Sequence, residues 1–364
     1  MRVHLVDPSG HALGLALGLA EAGHRVDYAR PLAWANGARD GFTAAIAELA
    51  QLRCGEPARF APLADADAVV LVDCFADRAD DLSAARHLQP QAPVHAWETT
   101  LDPRVYPMRL LAMLQLGVAA LAAAKPVVVL DTSDRAGPRE PAFEGLPGAI
   151  LLAREGAALD PGPWRPFPFL YNPTMLVLER TRDAGAWLRP LPARRRGPDW
   201  AFCGTIDHPR YGLRRKQAIE AVQQNWPHLR GDVAGGVSFF EALQRLQAAR
   251  CALDLPGAGR LCFRVHEALA LGIPLFAPRL AWSDARDAIL WPDALATVRF
   301  ADPRAALDCP TDHVLEVYRD GYSTAAAARR LTAELAVASP VKVGLGADQN
   351  GIPSIRSSSD SFAS

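Results

Sequence analysis

Apolar and polar positions along this chain alternate between short β-rich runs and stretches of helical periodicity. Arg2–Asp7 (RVHLVD) is a short β-rich run, and the turn Pro8–His11 follows it. Ala12–Gly23 (ALGLALGLAEAG) carries apolar residues at helical spacing and ends on a glycine suited to the position after a helix C-cap. His24–Ala29 predicts a second strand, so the segment reads as strand, turn, helix, glycine, strand. That is a βαβ unit, the building block of parallel sheets. Asp67–Cys74 (DAVVLVDC) is continuously apolar until its end, the pattern of a strand buried on both faces. Val94–Glu98 predicts a further strand, Arg109–Ala124 a strong helix, Pro126–Asp134 a strand ending in acids, and Gly148–Glu155 another strand.

Leu159–Pro173 (LDPGPWRPFPFLYNP) is rich in proline and aromatics, which suits neither a helix nor a central strand. It reads as the passage between two domains, because the α/β pattern then restarts. Asp199–Thr205 (DWAFCGT) predicts a strand running into a glycine, Arg210–Trp226 a helix, and His228–Val233 a short strand. Ser238–Arg250 predicts a helix whose Ser238 and Glu241 have the spacing of a capping box. Cys251–Gly257 predicts a strand, Arg260–Pro278 a helix leading into a strand, and His313–Ala336 a last helical region closing the domain. The tail from Ser339 has little to bury and reads as disordered. The expected layout is α/β: residues 1–170 and 171–338 form two doubly wound, Rossmann-like domains facing across a cleft, followed by the tail 339–364. Ligands of such folds lie outside the carboxyl ends of the strands.

Composition narrows the picture without redirecting it. At 364 residues the chain is long enough for two cores, and 22% charged residues with a formal net charge of −1 give no general affinity for nucleic acid or anionic membranes. The basic runs Arg194–Arg196 and Arg214–Lys216 read as solvated faces. None of the six cysteines pairs at the spacing of a zinc site, so free thiols in a reducing compartment are expected. No secretion signal is evident, and the apolar window Leu110–Ala124 is too short to span a bilayer. A soluble, cytoplasmic protein is expected.

The strand ends then supply the candidate chemistry. Leu253–Gly259 (LDLPGAG) leaves a strand through a glycine-rich turn, and Arg264 and Glu267 lie three residues apart on the helix that follows. Backbone N–H groups and an arginine there suit a diphosphate, and the carboxylate suits a ribose diol. The other reading is an ordinary surface pair. Arg210, Arg214 and Arg215 follow the turn at Gly204 and are well placed for phosphate if a helix begins near Pro209, with Arg210 or Arg214 favoured; the other reading of Arg215, and of Lys216, is solvent. In the first domain His11 is a candidate general base or an exposed loop histidine. Asp131 and Asp134 are a candidate base and acceptor contact, or turn caps. Glu98 and Arg104 are further cleft candidates. Gly14 and Gly18 lack the G-x-G-x-x-G spacing of a dinucleotide-binding turn.

Asp199–Pro278 resembles the donor-binding domain of GT-B glycosyltransferases, especially exostosin-like and related families. The resemblance rests on F-C-G-T (Phe202–Thr205) followed by R-Y-x-L-R (Arg210–Arg214), on the helix Ser238–Arg250, on L-D-L-P-G-A-G (Leu253–Gly259), and most of all on R-x-x-E-A-L-A-x-G-I-P (Arg264–Pro274). It implies metal-independent transfer of a sugar, without a cofactor, from a nucleotide-diphosphate sugar to an acceptor hydroxyl. The acceptor would be a carbohydrate, lipid, protein or small molecule. Gly204, Arg210, Arg214, Gly257, Gly259, Arg264 and Glu267 would then hold the donor, with Glu267 on the ribose. His11 or Asp131 would act from the acceptor side. Many retaining members carry a second glutamate eight residues before the ribose-binding one, and Gly259 stands there in this chain. That departure leaves donor binding intact and puts the retaining course in doubt. The same fold also accommodates a sugar-nucleotide epimerase or hydrolase, or an inactive binding protein.

Overall fold

The computed structural model describes residues 1–7, 12–29, 53–55, 65–73, 106–132, 140–154, 162–167, 197–207, 212–237, 239–255, 263–278 and 293–338. Among these the strands form two all-parallel sheets.

The first sheet contains β1 (Arg2–Val6), β2 (Arg25–Ala29), β3 (Arg53–Gly55), β4 (Ala68–Asp73), β5 (Val127–Asp131), β6 (Ile150–Ala153) and β7 (Arg165–Pro166). Its order is β3-β2-β1-β4-β5-β6-β7, so the winding reverses between β1 and β4. The continuous apolar run of β4 has a simple cause. Val70 and Val72 join the core under α1 (Leu13–Glu21), while Val69 and Leu71 join the core under α2 (Tyr106–Ala122). A strand covered on both faces has no polar side to display. The short helix α3 (Pro141–Glu144) packs Phe143 into the α2 side. β7 falls inside the proline-rich passage and is tolerated there because it is an edge strand.

The second sheet contains β8 (Trp200–Cys203), β9 (Gly231–Ala234), β10 (Cys251–Leu253), β11 (Leu275–Phe276) and β12 (Arg299–Phe300), in the order β12-β11-β10-β8-β9. Here the winding reverses between β8 and β10. One face is covered by α4 (Gly212–Asn225), whose Ala218, Ile219 and Val222 meet Trp200, Phe202 and Leu253. The other carries α5 (Phe239–Ala248) and α6 (Phe263–Ala270), packed on Ala201, Cys203 and Ala252. Three further helices follow: α7 (Asp293–Ala296), α8 (Pro303–Asp308) and α9 (Thr311–Gly321). The α/β class and the two doubly wound parallel units expected from the sequence are therefore both present. Among the described residues no helix is long and apolar enough to cross a membrane.

The last helical region is not one helix. It breaks at Tyr322–Ser323, where the Ser323 hydroxyl accepts a hydrogen bond from the Ala326 N–H and caps α10 (Thr324–Val337). α9 packs on the second unit through α6, but α10 returns to the first and packs along α1. Ala326, Ala327, Ala328, Leu331 and Leu335 belong to the same core as Leu13, Leu17 and Tyr28. Polar contacts add to this seam: Arg330 Nη2 donates to the Pro166 carbonyl at 2.7 Å, and Arg165 pairs with Glu334 at 2.7 Å.

His4, on β1, is buried, and that burial lowers its pKa, as it does for the partly buried His24. A histidine held neutral in the fold takes up its proton on unfolding. Stability should therefore be fully present above about pH 6.5 and fall as the pH drops below it. One such proton tilts stability by at most about 1.4 kcal/mol per pH unit. Urea titrations between pH 7.5 and 5 should show this slope, and His4→Leu should flatten it. An unchanged slope in a folded variant would assign the effect elsewhere.

Candidate functional site

The reversal between β8 and β10 is where a doubly wound sheet opens a crevice at its carboxyl ends. β8 ends at Cys203–Gly204, and its last side chains face opposite ways: Phe202 joins the core under α4, and Cys203 the core under α5 and α6. Arg264 starts from α6, on the Cys203 side, yet its guanidinium lies 4.2 Å from the Phe202 ring centroid. It therefore reaches over the end of the strand. Gly204 permits that path, because a Cβ at position 204 would run into Arg264 Nη2.

Arg264 is only 8% exposed. Its Nε donates to the Cys203 carbonyl at 2.7 Å, while its buried Nη1 has no hydrogen-bond partner. No ion pair joins it to a carboxylate among the described residues. A buried guanidinium without an acid is costly unless an anion arrives, since a buried unpaired charge costs several kcal/mol. Of the two readings of the Arg264–Glu267 pair, the ordinary surface pair is thus overturned for Arg264. Glu267 is half-buried one helical turn further on. The Cys203 thiol is pushed up to about 11, chiefly by burial. The carboxylates of Asp232 and Glu267 add to the rise, and Arg264 and Arg245 oppose it, so all four charges lie within electrostatic reach of this strand end. A thiol raised in this way stays protonated at neutral pH and is no nucleophile.

Of the two readings of Arg215, a phosphate contact or a solvent-facing cation, the solvent one is overturned. Arg215 is 5% exposed, donates from Nη1 to the Thr205 carbonyl at 2.7 Å, and lies 5.5 Å from the Phe202 ring centroid. The reason is helical phase. Arg215, Ala218, Ile219 and Val222 recur at 3, 4 and 7 residues and form the buried face of α4. Arg214, one residue earlier, is exposed, and so is Lys216, whose ammonium pairs with Asp207. The described part of α4 begins at Gly212, and Pro209 lies outside the described residues. Arg210, Gly257 and Gly259 lie outside the described residues. In the strand preceding the glycine-rich turn, Asp254 is buried and bonded to Arg299 Nε at 2.8 Å, which makes it a structural partner of β12.

At the carboxyl end of the first sheet, Asp131 is 4% exposed and stands in register with Asp73 of β4. Thr132 donates from its N–H and its hydroxyl to the Asp73 carbonyl, and Arg154 Nη1 donates to the Thr132 carbonyl at 3.0 Å. Asp7, after β1, accepts from the Ala12 N–H and the Tyr28 hydroxyl, both at 2.7 Å, and so secures the entry to α1. His11, Glu98, Arg104 and Asp134 lie outside the described residues. The structure thus brings Gly204, Arg264 and Glu267 to one strand end, adds Arg215 to them, and places Asp131 at the corresponding end of the other sheet.

No family model matches this chain, and no curated protein does. Among solved structures it is similar to UDP-GlcNAc 2-epimerase from Neisseria meningitidis bound to UDP-GlcNAc, with 9% identity, 92% of this chain and 99% of that one covered, and a TM-score of 0.39. It is also similar to sucrose-phosphate synthase from Thermosynechococcus elongatus, with 14% identity, 92% and 98% coverage, and a TM-score of 0.38.

Proposed function

We propose that this chain is a glycosyltransferase. A nucleotide-diphosphate sugar would lie at the carboxyl end of the second sheet, and the sugar would pass to an acceptor hydroxyl held by the first unit. The observation that carries this reading is Arg264: nine-tenths buried, anchored through Nε, with Nη1 unpartnered at the strand end where such folds take ligands. A phosphate oxygen supplies both the hydrogen bond and the countercharge that this group lacks among the described residues. Glu267, one turn along the same helix, suits a ribose diol and extends the reading from an anion to a nucleotide. In this scheme Gly257 and Gly259 let the backbone approach the diphosphate, and Arg210 or Arg214 adds a second cation. His11 or Asp131 takes the acceptor proton. The leaving diphosphate is stabilised by fixed charge rather than by a bound metal, and such preorganised stabilisation is often the largest catalytic contribution. The buried thiols of Cys203 and Cys251, which form no disulfide among the described residues, suit the cytoplasmic setting expected for the protein.

The test is a thermal-shift series with uridine, guanosine, adenosine, cytidine and thymidine diphosphates and their sugars, on the natural chain and on Glu267→Ala. A ligand bound only by the folded state raises the melting point. One base should give a clear shift, and Glu267→Ala should weaken that ligand about tenfold while the fold persists. With the matching sugar nucleotide and no acceptor, proton NMR should show at most slow hydrolysis. Conversion to a stereoisomeric sugar nucleotide would replace the transferase by an epimerase. No shift with any ligand would sink the nucleotide site itself.

A further inference from the structure

We propose that Arg215 is a positioning residue for the anion site: it acts on the ligand through the turn after β8 and through Arg264, without touching the ligand. The inference rests on the functional reading above and deepens it.

The two arginines come from opposite faces of the sheet, Arg264 from α6 and Arg215 from α4, and meet at the end of one strand. Each takes a backbone carbonyl there. Arg264 Nε holds that of Cys203, and Arg215 Nη1 holds that of Thr205, both at 2.7 Å. Each also lies near the same ring, Phe202, at 4.2 and 5.5 Å from its centroid. Gly204, between the two carbonyls, bonds through its own N–H to the Ala234 carbonyl at 3.0 Å. The turn is therefore tied at three consecutive residues.

Carbonyl oxygens carry partial negative charge and would repel a phosphate at this strand end. With Cys203 and Thr205 both bonded to guanidinium donors, that repulsion is quenched, and the field at the turn becomes positive. Arg215 also fixes the turn that Arg264 must pass, where Gly204 already leaves no room for a Cβ. Without Arg215 the Thr205 carbonyl is released and the path of Arg264 over Phe202 loosens. A site held within about half an ångström by its supporting residues loses much of its affinity when that support goes.

The probe is inorganic pyrophosphate, which carries the phosphate chemistry without a base or sugar. Its binding is measured by isothermal titration on the full chain and on Arg215→Gln, Arg215→Lys, Arg264→Gln and the double variant Arg215→Gln/Arg264→Gln. Arg215→Gln should weaken binding about tenfold in the folded protein. Arg215→Lys keeps one donor and the charge, and should recover to within about threefold of the natural chain. In the Arg264→Gln background, Arg215→Gln should cost less than about threefold more, because only its hold on the Thr205 carbonyl is left to lose once Arg264 is gone. If the two losses add instead, Arg215 contacts the ligand and the positioning role is wrong. A lower melting point with unchanged pyrophosphate affinity would make Arg215 purely structural and overturn the proposal. Should Arg215→Gln not fold, the lysine variant and its double with Arg264→Gln carry the same comparison. Natural chain that binds neither pyrophosphate nor any nucleotide would instead remove the functional reading on which this inference stands.

Discussion

Arg264→Gln should abolish the thermal shift produced by the nucleoside diphosphate that the natural chain binds, and should weaken that ligand about 100-fold. Removing one partner of a buried, hydrogen-bonded charge pair costs about 2–5 kcal/mol, and about 2.7 kcal/mol corresponds to that factor. The large effect follows from the surroundings. Arg264 lies where water is largely excluded, and among the described residues no acid neutralises it. An anionic ligand would be its countercharge. In the unliganded protein the outcome should be different. The substitution loses the bond to the Cys203 carbonyl and the cation–π contact with Phe202, but it also removes a buried charge that is paired with no carboxylate among the described residues. These contributions oppose each other, so the melting point without ligand should move by only a few degrees. Arg264→Lys should fall between the two, because one ammonium cannot bond Cys203 and reach the ligand as a fork does. Unchanged affinity in a folded Arg264→Gln protein would mean that the ligand sits elsewhere.

Much of the layout was legible in the sequence because burial on both faces leaves a plain mark. β4 and β5 read as unbroken apolar runs, and each proved to feed both cores of the first unit. β3 was not legible: it is a three-residue edge strand with no periodicity to detect. β7 was hidden by the proline within it, which edge strands accept. The break at Tyr322–Ser323 carried a signal in the Ser-Thr pair, a good helix start. Periodicity alone ran the two helices together because both keep an apolar stripe, one for each unit.

The site divides in the same way. Gly204, Arg264 and Glu267 could be placed near one another from order and spacing, since a strand end, a glycine and the first turn of a helix define a crevice. Burial of Arg264 could not be read in advance, because it depends on a path over Phe202 that exists only once both faces are packed. Arg215 is the instructive case. Its phase with Ala218, Ile219 and Val222 was available in the sequence, yet its place in an Arg-Arg-Lys run suggested solvent. Helical phase, not charge density, decided which of the three cations turned inward.

The second large effect concerns the seam between the units. Gly18→Val should destabilise the protein by about 3 kcal/mol, and Gly18→Ala by about 1 kcal/mol. A Cβ at position 18 would collide with the Thr324 backbone carbonyl and stand 3.2 Å from the Ala328 Cβ. Overpacking of this kind costs about 1–3 kcal/mol and sometimes more, and backbone yields less readily than a side-chain tip. Alanine recovers about 1 kcal/mol through its better helix propensity, which is why its net cost is smaller. Valine recovers less and adds two methyl groups to the collision. Because Thr324 opens α10 directly after the Tyr322–Ser323 turn, the strain enters where the chain passes from one unit to the other. Denaturant titration should therefore show a lower midpoint for Gly18→Val. Ala325→Val, on the exposed side of α10, should stay within about 0.5 kcal/mol of the natural chain. An unchanged midpoint for Gly18→Val would mean that α10 does not press on α1 in solution. If the cost appears, the Gly14–Gly18 spacing, which is not that of a dinucleotide-binding turn, is explained at Gly18 by the close approach of the returning helix.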